Sequence, residues 1–153
     1  GRMSETATGL MGEYIAAATV LQFGFKVSLA QQDKVDAVFW DDANEFYRVQ
    51  VKTASLSAER GNRAPVYHFQ LGHGCKTKHL PTEEDYDLLC LVGAEHRRTL
   101  WLPIWSVRQY TKRVQAKLLD EAEAERASFF KAIETVRQVR DGRRQAQRRT
   151  NLR

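Results

Sequence analysis

The run EFYRVQVKTA, residues 45–54, decides how the rest of the chain is read. Aromatic and β-branched residues alternate there with polar ones at period two, the pattern of a strand with one buried face. Tyr47, Val49, Val51 and Thr53 share that face, and Phe46, Arg48, Gln50 and Lys52 share the other. Gln50 and Lys52 then project side by side, roughly 6.5 to 7 Å apart along the strand, from a segment with apolar neighbours. Upstream lie FKVSLA (25–30), KVDAVFW (34–40) and a DDAN turn (41–44), which with this strand predict an antiparallel meander. Asp36 interrupts the apolar second strand, and a hairpin of this length brings it opposite the Gln50 and Lys52 end of the third.

Before the meander, Leu10, Tyr14, Ala17, Ala18 and Leu21 recur at helical spacing between Glu5 and about Phe23. They predict a helix that buries this stripe, with Ser4 or Thr6 as N-cap and Gly24 as its stop. Glu13 projects between Ala17 and Val20, at the stripe's border and turned toward the edge of the core. After the meander come a polar loop (55–64), VYHFQL (66–71), a loop GHGCKTKHLPTEED (72–85), the apolar strand YDLLCLVG (86–93), a turn and TLWLPI (99–104). Helix is expected from about Ser106 to Val139, with Leu119, Ala122, Arg126, Phe129, Ile133 and Val136 as a seam for the sheet or for a partner helix. This order argues an α/β or α+β layered domain.

The 153 residues are enough for one domain with a real core. With 42% hydrophobic and 28% charged residues, the composition excludes a membrane protein and disfavours wholesale disorder. The formal charge of +5 is unevenly spread: residues 137–153 hold seven arginines and one aspartate, which leaves a net of −1 for the rest. A polyanionic partner fits such an end, expected here as a flexible tail from 141 to 153. Two cysteines, Cys75 and Cys90, form no CxxC pair, so a reducing, cytoplasmic setting is expected. His73, Cys75 and His79 have zinc-like spacing but lack a fourth ligand nearby, and GHGCKTKH lacks the ending of a phosphate-binding loop.

Gly12-Glu13 on a first helix, Asp36 on a strand and Gln50-Val51-Lys52 on the next strand resemble the PD-(D/E)XK nuclease superfamily, over roughly residues 9 to 105. The variant is the one in which glutamine replaces the second acid, as in a group I intron homing endonuclease. The resemblance implies a restriction-endonuclease-like core, a mixed β-sheet flanked by helices, over residues 3–116. A C-terminal amphipathic helix for packing or oligomerisation (117–140) and the Arg-rich tail would follow it. It implies a metal-dependent DNA endonuclease using Mg²⁺, with Mn²⁺ as an alternative and no organic cofactor. Asp36 would be the central metal ligand, Gln50 and the Val51 carbonyl would complete the site, and Glu13 would bind a second metal or orient a water. Lys52 would stabilise developing charge or position the attacking water. Arg60, Arg63, Lys76 and Lys78 are candidate phosphate contacts.

One site per chain implies a homodimer or tetramer for cutting both strands, with the helices after Trp105 as the expected contact. The protein would be nucleoid-associated when bound to DNA. A structure-selective nuclease such as a Holliday junction resolvase, an RNA nuclease and a catalytically silent DNA-binding module remain open alternatives. Each residue alone also has an ordinary reading: Glu13 as a solvated helix residue, Asp36 as a hydrogen-bonded strand residue, Lys52 as an edge gatekeeper.

Overall fold

The computed structural model describes residues 1–57 and 63–153. Helix α1 (Glu5–Gln22) is capped by Ser4, whose hydroxyl accepts from the Ala7 amide at 3.1 Å, and it stops before Gly24, where φ is +88°. Strands β1 (Lys26–Leu29), β2 (Ala37–Trp40) and β3 (Phe46–Ala54) form the antiparallel meander that the sequence predicts. Asp41 closes the β2–β3 turn, its carboxylate accepting from the amides of Ala43 and Glu45, with Asn44 left-handed beside it.

Strands β5 (Leu88–Gly93) and β6 (Arg98–Pro103) extend this sheet in the order β1-β2-β3-β5-β6, with β3 and β5 parallel and every other pair antiparallel. The crossover from β3 to β5 passes through β4 (Val66–Gln70). It leaves the sheet to pair antiparallel with β7 (Thr111–Gln115) in a separate two-stranded ribbon.

The sheet buries both faces of β5. Leu88, Cys90 and Val92 pack with α1 and with helix α2 (Ala122–Asn151), whereas Leu89 and Leu91 lie under the ribbon with Tyr67 and Phe69. The outer edge of β6 is closed by α2: the Thr99 amide donates to Glu125 and the Trp101 amide to Ser128. These contacts cover a sheet edge that would otherwise present unmatched backbone groups.

Three expectations are corrected. The face of α1 turned to the sheet holds Gly12, Ala16, Thr19 and Val20, while Leu10, Tyr14 and Leu21 remain 44%, 59% and 56% exposed. Small residues face inward because the helix sits close to the sheet; a Cβ on Gly12 would fall 1.8 Å from the Thr53 hydroxyl. The stretch from Ser106 to Glu121 is not helical throughout: it holds β7 and two short 3₁₀ turns, at Ile104–Ser106 and Ala116–Asp120. TKRVQ alternates at period two, with Val114 inward, and pairing with β4 satisfies its backbone.

Third, α2 begins at Ala122, not 117, and continues through the residues read as a flexible tail. Phe129, Ala132, Ile133 and Val136 enter the main core, so the seam packs on the sheet. Arg126 fits within it by lying over the rings of Phe23 and Phe130, 5.7 and 4.9 Å from their centres. Farther on, Arg137 binds Asp41, Arg140 binds Glu45 and Asp87, Arg143 binds Glu83 and Arg144 binds Glu45. These pairs hold the helix against the acidic end of the sheet past the Asp141-Gly142 break expected from the sequence.

Candidate active site

β2 and β3 are of unequal length, and the site lies where β2 is missing. Their register ends with Ala37 opposite Val49, so β3 runs on for five residues without a β2 partner. Asp36 caps this gap. Its amide donates to the Val49 carbonyl at 2.8 Å, and its Oδ2 accepts from the Val51 amide at 2.7 Å and from Gln50 Nε2 at 2.9 Å. The N–H and C=O of one strand residue leave on the same side, so the Val51 carbonyl faces the gap as well.

Gln50 and Lys52 are half-buried and share the sheet face opposite the Tyr47, Val49 and Val51 side, as the alternation predicts. Thr53 departs from the pattern of a core residue: it is half-buried, and its hydroxyl has no hydrogen-bond partner among the described residues. That hydroxyl sits directly beneath Gly12, which lets α1 approach β3 and delivers the next residue, Glu13, to the gap.

Glu13 meets Asp36. Burial, then the Asp36 charge and a hydrogen bond shared with Asp36, raise the Glu13 carboxyl above the ordinary glutamate range. The helix face expected around Glu13 is different, but its position at the border of the buried face is the same: at 100° per residue it flanks Val20. Beside the gap, a cleft of about 490 Å³ opens between the first turns of α1 and the end of β3, lined by Glu5, Thr8, Gly9, Val51, Lys52 and Thr53 among others. Lys52 has no ion pair among the described residues. Asp36, Glu13 and Gln50 thus meet at the gap that the Val51 backbone borders, and Lys52 lines the cleft beside it.

As donors these groups are all hard oxygens, two carboxylic and two neutral, a set that suits Mg²⁺ or Mn²⁺ and not a thiophilic metal. Two carboxyls pressed together are also a place where a cation relieves repulsion. Among the described residues no group of three or more His, Cys, Asp or Glu side chains could hold a metal; the second acid's place is taken by an amide. His73 and His79 are tied to each other by a pair of backbone hydrogen bonds, with Cys75 exposed in the loop between them.

Of the expected phosphate contacts, Arg60 lies outside the described residues. Arg63 is exposed just before β4, and Lys76 and Lys78 are exposed in the loop after it. Reading residues 106–139 as helix concealed four further cations. Arg108, Lys112, Arg113 and Lys117 lie on or beside β7, on the same small lobe as Arg63, Lys76 and Lys78. Segments 63–80 and 107–119, which build this lobe, contain seven lysines and arginines and no aspartate or glutamate. That absence of acids was visible in the sequence and was the signal that could have grouped them.

A mixed sheet with helices on one face, and two acids, an amide and a lysine at the interrupted end of its central strands, has the architecture of a nuclease. The chain belongs to the PD-(D/E)XK endonuclease family, whose model matches residues 3–135 and so spans the whole sheet, the ribbon and the packed half of α2. Its structure is similar to that of a bacterial homing endonuclease, I-Ssp6803I, with a TM-score of 0.60 over 73% of this chain and 78% of that one. The two sequences are 17% identical, and the likeness is one of fold. No curated protein matches the sequence.

Proposed function

We propose that this chain is a DNA endonuclease that hydrolyses phosphodiester bonds with Mg²⁺, or Mn²⁺ in its place. The observation that carries the proposal is the meeting of Asp36, Glu13 and Gln50 at the gap beside β3, with Lys52 on the adjoining wall. Asp36 would hold the metal through Oδ1, since Oδ2 is engaged by Gln50 and the Val51 amide. The Gln50 amide oxygen and the Val51 carbonyl would complete its surroundings, with Glu13 on a second ion or a water. The bound cation would polarise the phosphate and lower the pKa of an attacking water. Lys52 would stabilise the charge that develops on the scissile phosphate or position the attacking water.

DNA is the proposed partner, and two copies of the chain the proposed cutting unit. The α2 seam is not the contact, because Phe129, Ile133 and Val136 are buried in the core. The outer stripe of α1 takes its place: Leu10, Tyr14, Ala17 and Leu21 follow a 4-3-4 spacing, and Glu13 is the one charged residue between 6 and 22. Because a stable dimer needs about 800 Å² from each partner, the stripe would form the centre of a larger contact. Among the described residues no helix is long and apolar enough to cross a membrane, and a cytoplasmic setting is part of the proposal.

The test uses supercoiled and branched DNA, with Mg²⁺ or EDTA, and the wild-type protein beside Lys52→Ala. The wild type should cut only with the metal, and Lys52→Ala should cut at least about 100-fold more slowly while binding DNA as before. Binding without cleavage on every substrate would defeat the enzyme reading in favour of a silent DNA-binding module. Equal activity in Lys52→Ala would show that the site is misplaced.

A further inference from the structure

Strand pairing puts the outer face of the β4–β7 ribbon in view. His68 lies opposite Arg113 and Gln70 opposite Thr111; with Gln115 these side chains point away from the sheet, while Tyr67, Phe69 and Val114 point into the core. All five outward residues are exposed, and none engages another side chain through a hydrogen bond or ion pair among the described residues. An ordinary exposed ribbon carries charges of both signs, paired across its strands. This one has no acid, and neither does the lobe that supports it. Elsewhere in the molecule five arginines are matched: Arg48, Arg137, Arg140, Arg143 and Arg144 each bind a carboxylate.

The ribbon is also firmly mounted. The Tyr67 hydroxyl meets His96 Nδ1 at 2.7 Å and accepts from the His96 amide, and His96 Nε2 meets Asp120 at 2.8 Å. Its underside rests on Leu89 and Leu91, which pair with Gln50 and Lys52 and share their sheet face. The ribbon therefore rises on the sheet face that Gln50 and Lys52 share, opposite the face against which α1 packs. Tyr67 bridges to Leu56, four residues past Lys52, or about 13 Å along the strand.

We propose that the outer face of this ribbon reads base edges in the major groove of duplex DNA next to the scissile phosphate; the proposal rests on the endonuclease reading. A two-stranded ribbon fits the major groove, and arginine and glutamine are the side chains that bind guanine and adenine edges bidentately. Packed layers stand about 10 Å apart, close to the groove's depth of about 8.5 Å. A ribbon of that height reaches the bases while the strand at the groove's lip reaches the sheet below. Lys112 and Lys117, from the same lobe, would hold phosphates and set the register.

The experiment selects binders from a pool of random duplex DNA with the wild-type protein, Ca²⁺ replacing Mg²⁺, and repeats the selection with Arg113→Ala, Gln70→Ala and Lys117→Ala. The wild type should enrich a defined sequence. Arg113→Ala and Gln70→Ala should each lose about 5- to 150-fold of discrimination at one or two base pairs, with melting temperatures unchanged. Lys117→Ala should weaken all sequences equally and reduce the salt slope by about one. A wild-type pool that stays random, a uniform loss in Arg113→Ala, or equal affinity for duplex RNA, whose major groove is too narrow to enter, would overturn the proposal. Sequence selection without Mg²⁺-dependent cleavage would defeat the endonuclease reading and leave the ribbon's role standing. Cleavage with a random pool would do the reverse.

Discussion

Asp36 carries two loads that substitution can separate. Its carboxylate satisfies the Val51 amide at the gap in β2, and its charge faces Glu13. Asparagine keeps an acceptor for that amide and removes the charge, so Asp36→Asn should fold with near-normal stability and fail to cleave. Alanine orphans a half-buried donor at a cost of about 1–3 kcal/mol, and Asp36→Ala should therefore melt lower as well as being inactive. Wild-type cleavage by Asp36→Asn would reduce Asp36 to its structural role. Gly12 presents a simpler case, since a Cβ there collides with Thr53. Gly12→Ala should lose about 1–3 kcal/mol in denaturant titrations and recover much of it when combined with Thr53→Ala; additive effects would show that the two residues do not meet. At this scale the sequence was informative: the alternation in EFYRVQVKTA placed Gln50 and Lys52 correctly because period two leaves no freedom about facing. What it could not show was Asp36 bonding to Gln50 and to a backbone amide, because that depends on where β2 ends.

Among the elements, α1 shows why apolarity and burial diverge. Counting large apolar residues chose Leu10, Tyr14 and Leu21 as the inner face, yet the close seat on β3 admits only Gly12, Ala16, Thr19 and Val20. Sequence periodicity weighs hydrophobicity, and close approach selects small size. Glu13 kept its border position because both faces flank it. The region after Trp105 was misread for another reason: TKRVQ is too short to announce a strand until β4 is there to pair with it. The leftover apolar stripe on α1 leads to a prediction. Tyr14→Lys with Leu21→Glu should leave the fold intact, since neither residue is in the core. It should also convert a dimer into a monomer by light scattering and turn double-strand cutting into nicking. A wild-type protein that is monomeric at high micromolar concentration would remove α1 from that role.

For the molecule as a whole, the charge of +5 describes two different populations of cations. The arginines of the C-terminal segment looked like a loose polycation, but Arg137, Arg140, Arg143 and Arg144 are bound to Asp41, Glu45, Glu83 and Asp87. They neutralise the acidic end of the sheet and extend α2; only Arg148, Arg149 and Arg153 of that segment make no ion pair among the described residues. The acid-free lobe around β4 and β7 holds the larger uncompensated charge, and it stands beside the site. Each phosphate contact contributes about −0.9 to the slope of log affinity against log salt on duplex DNA. A chain ending at Arg140 should therefore lose no more than about three units of slope and keep Mg²⁺-dependent cleavage at saturating DNA. Neutralising Lys112 and Lys117 together should remove about two units of slope, and adding Arg113→Ala should, unlike the truncation, also blur the cutting position. A truncated chain that loses its entire salt dependence would return the main electrostatic contact to the C-terminal helix and leave the lobe a solvated surface.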